Sequence, residues 1–152
     1  MPDKENIHAT AVLLDGRGVL LRGPSGAGKS LLALLLIEAF TLRGRPALLV
    51  ADDRVDLDRQ DDAIVLSPPK ALAGLIELRG RGILRRSHAA EATLALVVDL
   101  VPDLERMPED ADLKADVLGL MFPRCPVPRL GIIGSDHQRL LVNEALEAIT
   151  IP

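Results

Sequence analysis

The sequence predicts a single α/β domain with α+β character, built around one mixed β-sheet. Its 152 residues fit one domain of ordinary size, so we expect a single domain over residues 1–152. Short aliphatic runs bounded by turn residues flank one long Leu- and Ala-rich segment early in the chain, and strand-like runs dominate later. The composition, 48% hydrophobic and 26% charged, is typical of globular proteins and excludes disorder over the whole chain.

The first third of the chain predicts strands on both sides of a glycine-rich loop and a helix. Residues 7–14 are apolar and predict one strand, which ends at the hairpin turn Asp15-Gly16. Residues 19–21 start a second strand that leads into the loop. Residues 30–42 contain no helix breaker and predict a buried helix. The aliphatic run 46–51 then predicts a buried, parallel strand.

The remaining elements are shorter. We expect a hairpin from strands at 55–57 and 64–66, a short helix over 68–76, a turn at 80–82, and strands over 94–100 and 117–122. Residues 101–116 predict a solvated loop, and the prolines of 123–128 predict an extended segment. We expect Ser135 to cap a final helix, with Gln138 in the capping-box position.

Composition excludes several classes of function. Aromatic residues are 1% of the chain, which leaves no stacking platform for single-stranded nucleic acid, and the net charge of -4 argues against a nucleic-acid or anionic-membrane binder. The single cysteine, Cys125, excludes an intramolecular disulfide framework and fits a reducing cytoplasm. We expect no signal peptide, because residues 1–12 are polar and lack an apolar segment, and the longest apolar run, 31–39, is interrupted by Glu38 and too short to span a bilayer.

A phosphate loop is the strongest local signal. The pattern G-x-x-x-x-G-K-[ST] is matched by Gly23, Pro24, Ser25, Gly26, Ala27, Gly28, Lys29 and Ser30. Such a loop, between a strand and a helix, surrounds phosphate with backbone amides at a positively polarised helix end. We expect Lys29, as a surface-loop charge, to contact the β- and γ-phosphates and the Ser30 hydroxyl to ligate Mg²⁺. The sequence therefore predicts binding of a nucleoside triphosphate with magnesium, and we expect the nucleotide to be ATP.

Two adjacent carboxylates, Asp52 and Asp53, follow the strand predicted at 46–51. Ligands sit at the carboxyl ends of parallel strands, so this pair is expected to meet the phosphate loop at one edge of the sheet. One carboxylate would serve magnesium and the other would take a proton from an attacking hydroxyl. The alternative is that the pair only caps a turn, with help from Arg54.

Taken together, these residues resemble the HPr kinase/phosphorylase family. The family's motifs match the phosphate loop and the segment Val-Ala-Asp-Asp-Arg-Val-Asp at 50–56. A third match is residues 76–83, which resemble the family's E-[IV]-R-G-x-G-I signature. His8 stands where the family has its active-site histidine, and residues 126–129 match its V-P-[KR] segment. The resemblance spans about residues 7–130.

The resemblance implies a catalytic domain with a kinase core related to phosphoenolpyruvate carboxykinase. Members phosphorylate a regulatory serine of HPr, a phosphocarrier protein of the phosphotransferase system, remove that phosphate by phosphorolysis, and assemble as homohexamers. The implied roles are acid/base catalysis by Asp52, support from His8 and Asp53, magnesium ligation by Ser30 and Glu77, and phosphate contact by Arg79. A small-molecule kinase and a nucleotide-gated binding module without transferase activity remain as alternatives.

Overall fold

The chain forms a curled mixed sheet with two helices on one face. The computed structural model describes residues 3–149. The strands are β1 (Lys4–Ile7), β2 (Thr10–Leu14), β3 (Arg17–Arg22), β4 (Ala47–Ala51), β5 (Val55–Gln60), β6 (Ala63–Ser67), β7 (Leu75–Leu78), β8 (Gly82–Arg85), β9 (Ala92–Val101), β10 (Lys114–Val117) and β11 (Leu120–Pro128). The helices are α1 (Lys29–Leu42) and α2 (Ser135–Ala148), and short 3₁₀ turns lie at Lys70–Leu72 and Asp110–Leu113.

Strand β9 is the centre of the sheet. The strand order is β1-β5-β6-β9-β3-β2-β4, and β11 pairs with β9 as well as with β10. Strand β9 runs parallel to β3 and β11 but antiparallel to β6, so the sheet is mixed, as the sequence predicts. Strands β7 and β8 form a separate two-stranded hairpin.

Both faces of the sheet are covered by apolar residues. On one face, Leu36 and Phe40 of α1 and Val142 of α2 are almost completely buried against β2, β3 and β9. On the other face, the hairpins β5–β6 and β10–β11 close over a second cluster that includes Leu57 and Leu66. This aliphatic packing fixes the strand ends that hold the functional site. Within residues 3–149, no helix has the length and apolar character needed to cross a bilayer.

Three charged side chains tie strands together where the phosphate loop begins. Asp99 of β9 accepts hydrogen bonds from Arg22 Nε at 2.7 Å and Arg22 Nη2 at 2.9 Å, and from Arg124 Nε at 2.5 Å. Burial pushes the pKa of Asp99 upward, but the hydrogen bonds and charges of the two arginines outweigh it and hold the pKa below its ordinary value. Because Gly23 follows Arg22 directly, this network anchors the start of the loop.

Several sequence predictions are confirmed. Asp15 and Gly16 form the β2–β3 turn with φ angles of 54° and 80°, the left-handed pair that suits a two-residue hairpin. The hairpin predicted at 55–66 is β5–β6, the helix predicted at 30–42 is α1, and the strand predicted at 94–100 lies within β9.

The early part of the chain differs from prediction in two places. Residues 7–14 are not one strand, because the chain leaves β1, which pairs with β5, and enters β2, which pairs with β3 and β4. Residues 49–51 of the strand predicted at 46–51 are buried, but the prediction that this strand pairs in parallel was wrong, since β4 pairs antiparallel with β2. Strand β2 lies between β3 and β4, so those two run in the same direction without touching.

Three later predictions differ from the structure. The short helix predicted at 68–76 is a 3₁₀ turn followed by β7, because Ile76 is buried in the core and β8 completes its hydrogen bonds. The strand predicted at 117–122 contains a turn at Leu118 and Gly119, with φ angles of 50° and 86°. The final helix is confirmed as α2, but Gly134 and not Ser135 is its N-cap, and no side chain caps it. Gln138 donates to the Pro128 carbonyl at 2.9 Å and forms no capping box.

Candidate active site

The phosphate loop connects β3 to the first residue of α1. Gly26 and Gly28 have φ angles of 83° and 99°, a region that side chains with a Cβ atom disfavour. A Cβ at Gly28 would also stand 3.0 Å from the Cβ of Leu130, so glycine is required there on two grounds. Helix α1 starts at Lys29, and its free amides and dipole therefore face the loop. This geometry suits a bound phosphate chain.

Lys29 is folded into the loop. Its ammonium donates to the carbonyls of Gly23 at 2.6 Å and Pro24 at 3.1 Å, and the residue is 7% exposed. The expectation of a surface charge is therefore wrong, because the loop wraps around the side chain. Burial lowers the pKa of Lys29, and the charges of Asp52 and Asp53 act in the opposite direction. The ammonium is thus held in place within the phosphate loop.

Asp52 is the buried carboxylate of the site. It follows β4, is 6% exposed, and accepts three hydrogen bonds. Its Oδ1 accepts from the hydroxyls of Thr10 at 2.8 Å and Ser30 at 2.7 Å, and its Oδ2 accepts from the backbone N–H of Glu77 at 3.0 Å. The prediction that the phosphate loop and this strand end meet at one edge is therefore confirmed.

A β-bulge brings Thr10 to this position. Val12 pairs with Leu49, but Ala11 pairs with Ala51, so β4 carries one extra residue at this point. The shifted register sets Thr10 opposite Asp52, with Thr10 completely buried. The sequence analysis did not predict Thr10 as a site residue. A polar residue at the start of an apolar strand, two residues after His8, could have indicated it.

Asp53 differs from its neighbour in exposure and contacts. Its backbone has φ of 69°, a strained value that aspartate tolerates better than most residues and that turns the chain after β4. Its Oδ1 lies 3.3 Å from His8 Nε2, and the side chains of His8 and Asp53 are 40% and 68% exposed. The break between β1 and β2 places His8 here. The pair is open to solvent, whereas Asp52 is enclosed.

The hairpin β7–β8 forms another wall of the site. The backbone N–H of Glu77 donates a hydrogen bond to Asp52, and Glu77 lines the same cavity as Ser30. The guanidinium of Arg79 lies against the phosphate loop, 3.8 Å from the position that a Cβ on Gly26 would occupy. Glu77 and Arg79, the two residues of this hairpin to which the family resemblance gives roles, therefore both lie beside the phosphate loop.

These groups meet in one open cavity of about 530 Å³. Of the residues that the sequence predicts for the site, the cavity is lined by His8, Ser25, Gly26, Gly28, Lys29, Ser30, Asp52, Asp53, Glu77 and Arg79. Gly23, Pro24 and Ala27 lie in the loop but do not line the cavity; the first two supply the carbonyls that hold Lys29. Leu130, which follows β11, also lines the cavity, and its N–H donates to Ala27 at 3.1 Å. No sequence signal indicated that contact.

The oxygen atoms at the loop fit a magnesium ion held mainly by phosphate. Within residues 3–149, no cluster of three or more His, Cys, Asp or Glu side chains is arranged to hold a metal. Mg²⁺ at nucleotide sites needs only one or two protein ligands, because phosphates and waters supply the rest. Ser30, whose hydroxyl donates a hydrogen bond to Asp52, and Glu77, which lines the same cavity, are oxygen-bearing residues of the kind that such an ion would need.

Comparisons with known proteins agree with this site. The family model described as HPr Serine kinase C-terminal domain matches residues 1–121. The chain is 41% identical over 120 residues to the HPr kinase/phosphorylase of Enterococcus faecalis, covering 76% of this chain and 36% of that protein. It is 32% identical over 139 residues to that of Latilactobacillus sakei subsp. sakei, covering 87% of this chain and 42% of that protein. The chain therefore spans less than half the length of these relatives.

A solved structure shares the fold. The Hpr(Ser) kinase/phosphatase from Coxiella burnetii superposes with a TM-score of 0.72 at 29% identity, covering 94% of this chain and 97% of that one. The resemblance carried by the motifs is thus confirmed at the level of sequence and of fold. On the match to residues 1–121 and on these relatives, the chain belongs to the HPr kinase/phosphorylase family.

Proposed function

We propose that this chain is an ATP-dependent protein serine kinase that acts on an HPr-type phosphocarrier and also removes the phosphate by phosphorolysis. One observation carries the proposal: the phosphate loop, the buried Asp52 carboxylate that accepts a hydrogen bond from Ser30, and the exposed Asp53–His8 pair meet in one cavity. The names of the relatives support the same activity.

In this proposal, ATP lies along the phosphate loop. The amides of the loop and of the first turn of α1 would bind the phosphate oxygens, and Lys29 and Arg79 would add two positive charges. Ser30 and Glu77 would hold Mg²⁺, which when bound neutralises charge on the triphosphate. Asp52 accepts a hydrogen bond from the Ser30 hydroxyl, and this leaves the lone pairs of that oxygen for the metal.

Asp53 is the better candidate for the general base. The resemblance implies this role for Asp52, but both Asp52 oxygens already accept hydrogen bonds and the residue is 6% exposed. Asp53 is open to an incoming protein and is held from the other side by His8 at 3.3 Å. A base must reach the proton that it removes, and exposure favours Asp53. We therefore assign Asp52 to orienting Ser30.

The reaction follows from these roles. Asp53 takes the proton of the acceptor serine as the serine oxygen bonds to the γ-phosphorus, and the bond from that phosphorus to the β,γ-bridging oxygen breaks to release ADP. In phosphorolysis, an oxygen of inorganic hydrogen phosphate attacks the phosphorus of phosphoserine, and the proton of that phosphate passes to Asp53. The bond from that phosphorus to the serine oxygen breaks, Asp53 gives the proton to the serine oxygen, and pyrophosphate leaves.

We further propose that residues 1–152 act as one catalytic domain in the cytoplasm and assemble as a homo-oligomer. The hexamer of the family that the chain resembles supports this assembly. Light scattering at tens of micromolar tests it, and a monomer at that concentration would contradict it. The alternatives are less favoured: the family match opposes a small-molecule kinase, and a binding module needs no base beside the phosphates.

A transfer assay tests the activity. The chain is incubated with γ-labelled ATP, Mg²⁺ and HPr, and the label is expected on the regulatory serine of HPr. Phospho-HPr with added inorganic phosphate is expected to release pyrophosphate. There are two controls. HPr with that serine changed to alanine should remain unlabelled, and so should wild-type HPr incubated with the Lys29→Ala variant of this chain. ATP binding without transfer to HPr would contradict the kinase proposal and favour the binding module.

A further inference from the structure

The hairpin β7–β8 carries a concentration of positive charge that the chain does not neutralise. Four exposed arginines lie in or next to it: Arg79, Arg81, Arg85 and Arg86. Within residues 3–149, none of them belongs to an ion pair. The chain as a whole has a net charge of -4, so this is a local exception in an acidic protein. Unneutralised arginines beside an active site indicate an external partner of opposite charge.

The pairing of the two strands determines which side chains point outward. Ile76 pairs with Leu84, and both pack into the core, with Ile76 1% exposed. The adjacent pairs, Glu77 with Ile83 and Leu75 with Arg85, therefore lie on the opposite side of the hairpin. On that side Ile83 is 63% exposed. The hairpin is thus anchored by one face and presents an apolar residue on the other.

The outward side is continuous with the active site. Glu77, Arg79 and Ile83 all line the cavity that holds Asp52 and Asp53. Arg79 lies against the phosphate loop, whereas Arg81 stands at the tip of the hairpin and Arg85 beyond Ile83. The phosphate end of the cavity already has Lys29, Arg79 and the helix terminus. Arg81 and Arg85 are therefore available for a different ligand.

We propose that Ile83, Arg81 and Arg85, here called the arginine face, form the docking surface for the protein substrate. The partner surface would carry acidic side chains around an apolar residue, next to the acceptor serine. Arginine is enriched at protein interfaces relative to the rest of the surface, and an exposed apolar residue gains stability when a partner buries it. This inference rests on the proposed kinase function and adds to it the place and the chemistry of substrate recognition.

Charge reversal tests the arginine face. The variant R81E/R85E is compared with R43E/K114E, which lowers the net charge equally at exposed positions at the end of α1 and the start of β10. We expect R81E/R85E to raise the KM for HPr by about tenfold or more, with the KM for ATP within about twofold of wild type. The difference should shrink at high ionic strength, because salt screens exposed charges. R43E/K114E should resemble wild type.

The other outcomes distinguish the possible occupants. An unchanged KM for HPr in folded R81E/R85E, or an equal rise in R43E/K114E, would overturn the proposal. A rise in the KM for ATP alone would assign the arginines to the nucleotide, and a change only in the oligomer seen by light scattering would assign them to a second copy. Either result also overturns it. Binding of HPr, measured by interferometry, separates this inference from the kinase proposal. If wild type binds HPr but transfers no phosphate, and R81E/R85E binds HPr more weakly, the docking surface is supported and the kinase proposal is contradicted.

Discussion

Exchanging each adjacent carboxylate for its amide should separate two roles that the sequence cannot separate. We expect Asp53→Asn to keep the affinity for Mg²⁺–ATP within several-fold and to lose phosphoryl transfer. We expect Asp52→Asn to weaken Mg²⁺–ATP binding first. The physical reason is the difference in surroundings, since Asp53 is 68% exposed and contacts His8, whereas Asp52 is 6% exposed and accepts three hydrogen bonds.

The magnitudes follow from these contacts. Removal of a general base typically costs about 10²–10⁴-fold, so transfer in both directions should fall at least about 100-fold in Asp53→Asn, or about 2.7 kcal/mol of barrier. An exposed position changes the free energy of unfolding by less than about 0.5 kcal/mol. In Asp52→Asn, an amide nitrogen facing Ser30 would donate to the hydroxyl oxygen that the metal needs. We expect about tenfold or more loss of Mg²⁺–ATP affinity, with metal-free ATP binding unchanged.

Calorimetry with ATP, in magnesium and in chelator, and single-turnover transfer to HPr measure the two effects separately. Circular dichroism and urea unfolding establish that both variants fold. The reasoning is refuted if Asp53→Asn transfers phosphate at near the wild-type rate. If Asp52→Asn binds Mg²⁺–ATP normally but transfers no phosphate to HPr, Asp52 is the general base that the resemblance implies. In that case the burial of Asp52 does not indicate which aspartate is the base.

Three further predictions concern the supports of the site. Lys29→Ala should lower ATP affinity by at least about 100-fold in calorimetry while the fold survives, because a charged hydrogen bond to phosphate is worth up to about 3 kcal/mol; unchanged affinity would remove the phosphate-loop assignment. Thr10→Val should lower the free energy of unfolding by about 1.5–3 kcal/mol in urea denaturation, since the lost hydrogen bond goes to the buried Asp52 carboxylate, and Thr10→Ser should restore most of it. Asp99→Asn should cost about 3 kcal/mol at pH 7 by leaving its two arginines unpaired. The lowered pKa of Asp99 gives stability that is present above its ordinary value of 3.8 and lost as the pH falls through the folded value, so the variant should lose less stability than wild type in acid. Identical acid unfolding profiles would contradict this.

Local patterns in the sequence determined the class of the protein and most of its site. The phosphate loop depends on consecutive residues, because Gly26, Gly28 and Lys29 act through the backbone and one side chain of a single turn. The hairpin at Asp15-Gly16 is equally local, since two left-handed residues fix it. The position of the acidic pair could also be predicted, because an aliphatic strand that ends in two aspartates leaves those carboxylates at an edge of the sheet.

Only the tertiary structure decided how the two carboxylates differ. Asp52 and Asp53 are identical in type and adjacent in sequence, so no pattern assigns one to Ser30 and the other to His8. A bulge of one residue in β4 sets Thr10 opposite Asp52, and the register of two paired strands is a property of both strands together. The contact of Leu130 with the loop has the same origin. Both contacts join residues far apart in the chain, and the packing of the whole domain determines which of them meet.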